Sequence, residues 1–225
     1  MEHIVVLTGA GMSAESGLKT FRDENGLWEG HDVMQVASPQ GFAKNPELVL
    51  DFYNQRRRQL QDAKPNAAHK ALAGLEKDYK VSIITQNIDD LHERAGSSRV
   101  IHLHGELFKV RSTYNPSDIK PWRKDLHLGD TCERGHQLRP HVVWFGEDVP
   151  MMGKAIDTCQ KADILMIIGT SMQVYPAAGL IHYIPDETQV YFIDPKPNIT
   201  GSSRLTVIAE PATTGVRKAI SLFNL

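Results

Sequence analysis

"HIVVLTGAGMSA", residues 3–14, decides how the rest of this chain is read. Residues 3–8 are mostly apolar and β-branched and run straight into Gly9-Ala10-Gly11. A short apolar run closed by glycines reads as a strand buried on both faces, as in a parallel sheet. Gly9, Gly11 and Ala14 fit G-x-G-x-x-A, a pattern in which glycines let backbone amides approach a pyrophosphate at a helix N-terminus. Similar runs recur at 80–85 (KVSIIT), 99–104 (RVIHLH), 141–145 (HVVWF), 163–169 (DILMIIG), 189–194 (QVYFID) and 204–209 (RLTVIA). Helical patterns lie between several of them: Asn66 caps a helix with Ala68, Leu72 and Leu75 on one face, and others fit 153–162 and 213–225. The alternation predicts an α/β fold, a Rossmann-like parallel sheet with helices on both faces.

Two regions break the alternation. Residues 18–62 show no convincing strand, and their clearest element is a helix with Asn45 as N-cap and Pro46 at its first position. Residues 111–139 are polar and without clear period. Both read as insertions packing together as a small lobe. The expected organisation is one domain over 1–225, with a Rossmann-like lobe at about 1–25, 66–110 and 140–225 and a small lobe at about 26–65 and 111–139.

The bulk composition excludes several classes. The chain has 225 residues, 41% hydrophobic and 23% charged, an ordinary globular balance. Lys+Arg is 25 against Asp+Glu 27, so the basic excess of a nucleic-acid binder is absent. No apolar run approaches the 18 or so residues of a membrane span. The first residues lack a basic n-region and cleavage site, so a cytoplasmic protein is expected. A monomer is expected too. Cys132 and Cys159 give no disulfide framework.

Ligands of open α/β sheets bind beyond the carboxyl ends of the strands. The strands here end in Gly-Ala-Gly, then "QNIDD" (86–90), His104-Gly105, "GTS" (169–171) and "DPKP" (194–197). Short amides, hydroxyls and an imidazole collect where a ligand would lie. The acidic residue that a hydride-transfer enzyme places about 20 residues past its glycines, after a second strand, has no counterpart. On the helix at 46–62, Tyr53 and Arg56 are neighbours. Arg57 and Arg58 are rotated from Arg56 by about 100° and 200° and are expected on the solvated face. Arg56 lies near the apolar stripe of Leu48, Val49, Phe52 and Leu60.

Taken in order, "GAGMSAESGLKTFR" (9–22), "TQNID" (85–89), "HLHG" (102–105), "VVWFGE" (142–147) and "GTSMQVYPAA" (169–178) resemble the sirtuin family of NAD-dependent protein deacylases over nearly the whole chain. The resemblance implies that Gly9, Ala10, Gly11 and Ser13 cradle the NAD phosphates, with Phe21, Arg22 and Trp28 on or near the cofactor loop. It implies that Gln86, Asn87, Ile88 and Asp89 hold the nicotinamide end, and Gly169, Thr170, Ser171, Asp194, Pro195, Lys196 and Ala212 the adenosine side. Asp194 stands where the family usually has Asn. Val142, Val143, Phe145, Gly146 and Glu147 would contact the substrate, pairing with its backbone as an added strand. His104 would be the general base, assisted by Asn87. Histidine suits that role because its pKa lies near neutrality. His69, His92 and His182 are read instead as satisfied, partly buried histidines. The implied products are free lysine, nicotinamide and O-acyl-ADP-ribose.

Tyr53 and Arg56 resemble the Tyr-x-x-Arg pair of sirtuins that take succinyl-, malonyl- or glutaryl-lysine, and the small Ala37 leaves room for such a chain. Most of the family also holds a structural zinc on two cysteine pairs. Here Ser112 stands near the first pair and only Cys132 near the second, with His136 four residues on. A mixed set with His127 and Asp130 matches no ligand spacing, so no zinc is expected, and hydrophobic contacts and turns are expected to hold the lobe. The alternatives are an NAD-dependent protein ADP-ribosyltransferase and a catalytically silent NAD or ADP-ribose binding module.

Overall fold

The computed structural model describes residues 1–19, 27, 28 and 30–223. Its strands are β1 His3–Thr8, β2 Leu27–Trp28, β3 His31–Asp32, β4 Lys80–Thr85, β5 Val100–His102, β6 Gly105–Ser112, β7 Ile119–Pro121, β8 Leu138–Val142, β9 Ile164–Ile168, β10 Gln189–Ile193 and β11 Leu205–Ile208. Its helices are α1 Gly11–Ala14, α2 Val33–Val36, α3 Pro39–Lys44, α4 Pro46–Asp62, α5 Ala67–Gly74, α6 Leu91–Ala95, α7 Met152–Cys159 and α8 Ala212–Ser221.

Six strands form one parallel sheet in the order β11-β10-β9-β1-β4-β5. All of β1 is buried, and its side chains alternate between faces as a period of two requires. Ile4 and Val6 pack with Ala68 and Leu72 of α5 and with Val216 and Ala219 of α8. Val5 and Leu7 pack on the other face with Ala155 and Cys159 of α7. Each such side chain contributes about 1.5–3 kcal/mol by leaving water. The chain lays β4 and β5 on one side of β1, then crosses to lay β9, β10 and β11 on the other. The order therefore reverses between β1 and β9. The loops leaving those two strands diverge there and open a crevice.

The strand expected at 141–145 is β8, at 138–142, and it is not in the parallel sheet. It pairs antiparallel with β6, which also pairs with β7, in a separate three-stranded sheet. Residues 111–139 therefore hold strands that the sequence hides, because they are short and their outward residues are polar. Nothing in this hairpin region depends on a strong apolar period: the Gln137 amide donates to the carbonyls of His127, Asp130 and Leu138 and accepts from Gly129 N. Leu50, Val110, Leu126, Cys132 and Leu138 form a small apolar cluster beneath it.

Helix α4 starts as expected, with the Asn45 side chain accepting from Leu48 N at 3.1 Å and Pro46 in the first turn. Its buried arc is wider than the stripe read from sequence. Arg57 was expected to face water; instead it is completely buried. Its Nε donates to Leu107 O at 3.2 Å and its Nη1 to Asn54 Oδ1 at 2.7 Å. Asn54 in turn exchanges two hydrogen bonds with the backbone of Leu126. Burial pulls the Arg57 guanidinium down to about 10. The arginine ties α4 to β6 and, through Asn54, to the 111–139 insertion, and it is the neighbouring Arg58 that is exposed, against Asp125.

Candidate active site

One cleft of about 810 Å³ lies over the carboxyl ends of β1, β4, β9 and β10 and reaches α4 and the segment after β8. That size suits a small-molecule site. Its floor is the meeting of two glycine turns. A Cβ on Gly9 would come within 2.7 Å of Thr170 Cβ, and one on Gly11 within 2.7 Å of Gly169 Cα. Gly169 has φ +61, and a side chain there would collide with the Gly11 and Met12 backbone. The amides of Gly9 and Gly11 donate to Ile168 O and Gly169 O at 3.0 and 2.9 Å. These glycines therefore supply close approach of two backbones, and their own N–H groups are committed within the chain. Thr170 Oγ1 accepts from Gln86 Nε2 and Met172 N, which leaves its hydroxyl hydrogen to donate.

After β4 the chain enters a buried polar network. Asn87 Nδ2 donates to Gly9 O at 3.0 Å and Ser13 Oγ at 3.2 Å, and Ser13 Oγ donates to Asp89 Oδ2 at 2.9 Å. Burial raises the Asp89 carboxyl, against the hydrogen bonds from Leu91 N and Ser13. Asn87 N donates to Thr85 Oγ1, which accepts from Thr8, and Thr8 Oγ1 lies 3.2 Å from His92 Nε2. The His92 ring packs at 4.8 Å on His69, whose Nδ1 accepts from Asn66 N and closes a capping box on α5.

His69 and His92 are fully buried but only half satisfied, since His69 Nε2 and His92 Nδ1 have no hydrogen-bond partner among the described residues, whereas His182 is exposed. Burial lowers His69 to about 4 and lowers His92 well below 6.5. Both folded values lie below the unfolded one, so the unfolded chain binds more protons at acid pH. The stabilisation is complete above about pH 6.5 and is lost as pH falls toward 4, by about 3 kcal/mol from His69 alone. Urea midpoints should decline steadily between pH 6.5 and 4.5; a flat midpoint over that range would contradict this assignment.

The two histidines of "HLHG" have opposite states. His102 bonds Asn87 O at 3.1 Å through Nδ1 and Glu93 Oε1 at 2.7 Å through Nε2. Burial alone would lower its pKa, but the Glu93 bond and charge outweigh it and the pKa rises. His104 Nδ1 donates to Gln86 O at 3.0 Å. A carbonyl can only accept, so Nδ1 carries the hydrogen and Nε2 keeps its lone pair. Burial lowers the His104 pKa, which keeps the ring neutral. The imidazole borders the cleft. It sits in the turn after β5 rather than on the strand, and Gly105 behind it has φ +82, where a Cβ would strike His141 O.

The far end of the cleft is bordered by Trp28, Ala37, Tyr53, Arg56, Leu107 and Trp144. Tyr53 is fully buried, and its oxygen accepts from Trp144 Nε1 at 2.9 Å. Arg56 Nη1 donates to Phe52 O at 2.9 Å, and its guanidinium sits 4.2 Å from the Phe52 ring centre. The segment after β8 departs from the expected open edge. The amides of Val143, Trp144 and Phe145 donate to His104 O, Glu147 Oε2 and Ala37 O. Gly146 comes next with φ +89. Glu147 borders the cleft, but its carboxylate is gripped by Arg111 and Arg139 at 2.6–3.1 Å. Burial alone would raise it; the Arg139 bond prevails and lowers it. Glu147 thus anchors the segment rather than reaching outward.

Of the other residues expected at the site, Ala10, Ile88, Val142, Ser171, Pro195, Lys196 and Ala212 border the same cleft. Asp194 does too, buried, with Oδ1 accepting from Lys196 N at 2.9 Å. Phe21 and Arg22 lie outside the described residues. Trp144, Gln59 and Glu15 border the cleft without having been singled out. An indole inside "VVWFGE" was signal enough for the first; the other two carry no sequence signal. Among the described residues no three His, Cys, Asp or Glu side chains converge as metal ligands, and no described helix is long and apolar enough to cross a membrane.

The model of the Sir2 family matches residues 9–176. An NAD-dependent protein deacylase of Helicobacter pylori (strain ATCC 700392 / 26695) is 62% identical over 196 residues, covering 87% of this chain and 86% of its own. One from Bacteroides thetaiotaomicron is 54% identical over 225 residues, covering 97% and 96%. A crystal structure of a Sir2 homologue with NAD superposes with a TM-score of 0.87 at 38% identity, covering 98% of this chain and 90% of that one.

Proposed function

The chain belongs to the Sir2 family, and from that premise we propose that it removes acyl groups from protein lysines at the expense of NAD, favouring acyl groups that end in a carboxylate. The donor set of the cleft fits such a dinucleotide. The crevice lies at the reversal of strand order, Thr170 and Ser171 offer hydroxyls beside the glycine floor, and Asp194 offers a carboxylate to a ribose diol. Asn87 and the buried Asp89 offer an amide and a carboxyl group to a carboxamide. When bound, NAD would supply an activated ribose carbon whose exchange of nicotinamide for the acyl oxygen, with water releasing the lysine amine, would give O-acyl-ADP-ribose. His104 Nε2 takes the proton of a ribose hydroxyl. Gln86 O holds the ring in the tautomer that leaves that nitrogen basic. Asn87 is oriented by four residues at once, Gly9, Ser13, Thr85 and His102. Tyr53 and Arg56 hold the acyl carboxylate.

The observation that carries this reading is that a neutral imidazole with a fixed tautomer and a Tyr–Arg pair border one continuous cleft. The test is a paired assay. Purified protein, NAD and one lysine peptide bearing acetyl or succinyl are incubated, and kcat/KM is read by mass spectrometry. Succinyl preference is expected. Acetyl preference would keep the deacylase and remove the carboxylate specificity; labelled ADP-ribose left on protein, without acylated sugar, would favour a transferase.

A further inference from the structure

We propose that Trp144 is a specificity-determining positioning residue, which sets the direction of the Tyr53 hydroxyl and so arms it to read an acyl carboxylate. The proposal rests on the acyl-pocket reading above and adds a residue to it. An indole N–H only donates. The 2.9 Å bond from Trp144 Nε1 therefore occupies the Tyr53 oxygen as an acceptor. The phenol's own hydrogen has to leave in another direction. Among the described residues Trp144 is the sole hydrogen-bond partner of that oxygen. The ring borders the cleft beside Arg56 and Ala37, so an acceptor on a ligand there completes it. Burial also raises the Tyr53 pKa, keeping the hydroxyl protonated and able to donate.

Trp144 is itself held against rotation. The Arg139 guanidinium lies 3.3 Å from the centre of its ring, and Phe42 packs at 5.3 Å. A cation over the face of an indole draws electron density and sharpens its N–H as a donor. Glu147 holds Arg139 and accepts from the Trp144 amide as well. A continuous chain thus runs Glu147–Arg139–Trp144–Tyr53, from the segment facing the substrate to the end of the acyl pocket. A carboxylate accepts the Tyr53 hydrogen in a charge-assisted bond. An acetyl group ends in a methyl and has no carboxylate to offer it.

Trp144→Phe keeps a six-membered ring between Phe42, Arg139 and Tyr53 and removes the N–H together with the rest of the five-membered ring. The succinyl-to-acetyl ratio of kcat/KM is expected to fall about 3- to 10-fold, through KM for the succinyl peptide. In a Tyr53→Phe background the same change should move the ratio no further, since the group it orients is gone. An unchanged ratio in Trp144→Phe while Tyr53→Phe lowers it, or full additivity in the double variant, overturns the proposal. Equal loss on both peptides marks Trp144 as packing and overturns it too. If Tyr53→Phe itself leaves the ratio alone, the acyl-pocket reading fails and this one falls with it. Should Trp144→Phe not fold, the Trp144 indole N–H resonance of the 15N-labelled wild type decides: a succinyl-lysine peptide with NAD should shift it, and not in Tyr53→Phe. No shift in the wild type overturns the proposal.

Discussion

Replacing His104 with alanine is expected to lower kcat/KM for deacylation about 10²- to 10⁴-fold, the range of a positioned general base. Binding of NAD, followed by calorimetry, should change little, because among the described residues the His104 side chain hydrogen-bonds only Gln86 O, and its backbone bond from Val143 N survives the substitution. The pH profile of the wild type carries the same assignment. Burial places the His104 pKa below 6.5. The base is therefore neutral and active above that value, and activity falls as pH drops through it. The acid limb of kcat/KM should lie below pH 6.5 and vanish in the alanine variant, leaving a low, flat rate. A loss of only a few fold, with the acid limb intact, would assign the limb to another group and leave His104 without a catalytic role. The neighbouring His102 does not substitute, since both its nitrogens are bound and neither has a free lone pair.

The difference between those two histidines marks where sequence stops being readable. Position and spacing flagged His104, because an imidazole before a glycine at a strand end is uncommon in a merely structural role. Its tautomer depends on Gln86 O, which arrives from the adjacent strand, and no local pattern announces that partner. The parallel sheet was legible because strands such as β1 and β9 are buried on both faces and read as unbroken apolar runs. Strand β7 was not, since it has three residues, and β8 was read three residues late and placed in the wrong sheet, since it carries Arg139 and His141. Arg57 failed for a related reason. A charged residue on an amphipathic helix is nearly always solvated, and here the Leu107 carbonyl, brought from β6, and the Asn54 amide one turn back make its burial tolerable. The arginine partners of Glu147 were hidden for the same reason: they lie 8 and 36 residues away.

Replacing Arg56 with methionine is expected to reduce desuccinylation about 10- to 150-fold and to leave deacetylation within a few fold. The magnitude comes from one lost hydrogen bond to a charged group, worth about 1.5–3 kcal/mol net. Methionine keeps an unbranched apolar stem but ends before the guanidinium, so the change removes the charge, the donors and the guanidinium's place over the Phe52 ring. The guanidinium is set in place before any ligand arrives, by its bond to Phe52 O and by the Phe52 ring beneath it. A preset planar fork can grip a carboxylate through two parallel bonds without a further ordering cost. Lysine at this position, a point charge on a flexible stem, should recover only part of the loss. The contrast with the next residue sharpens the test. Arg57 is wholly buried and bonded within the chain, so its removal has to act through folding and weigh on every substrate alike. Arg56 is half-buried and borders the cleft, so its removal has to divide substrates by the charge at the end of the acyl chain. Equal loss of both activities in Arg56→Met would place it with Arg57 as scaffold. A loss confined to the succinyl peptide, seen as a higher KM, would make one face of α4 the element that reads the acyl group.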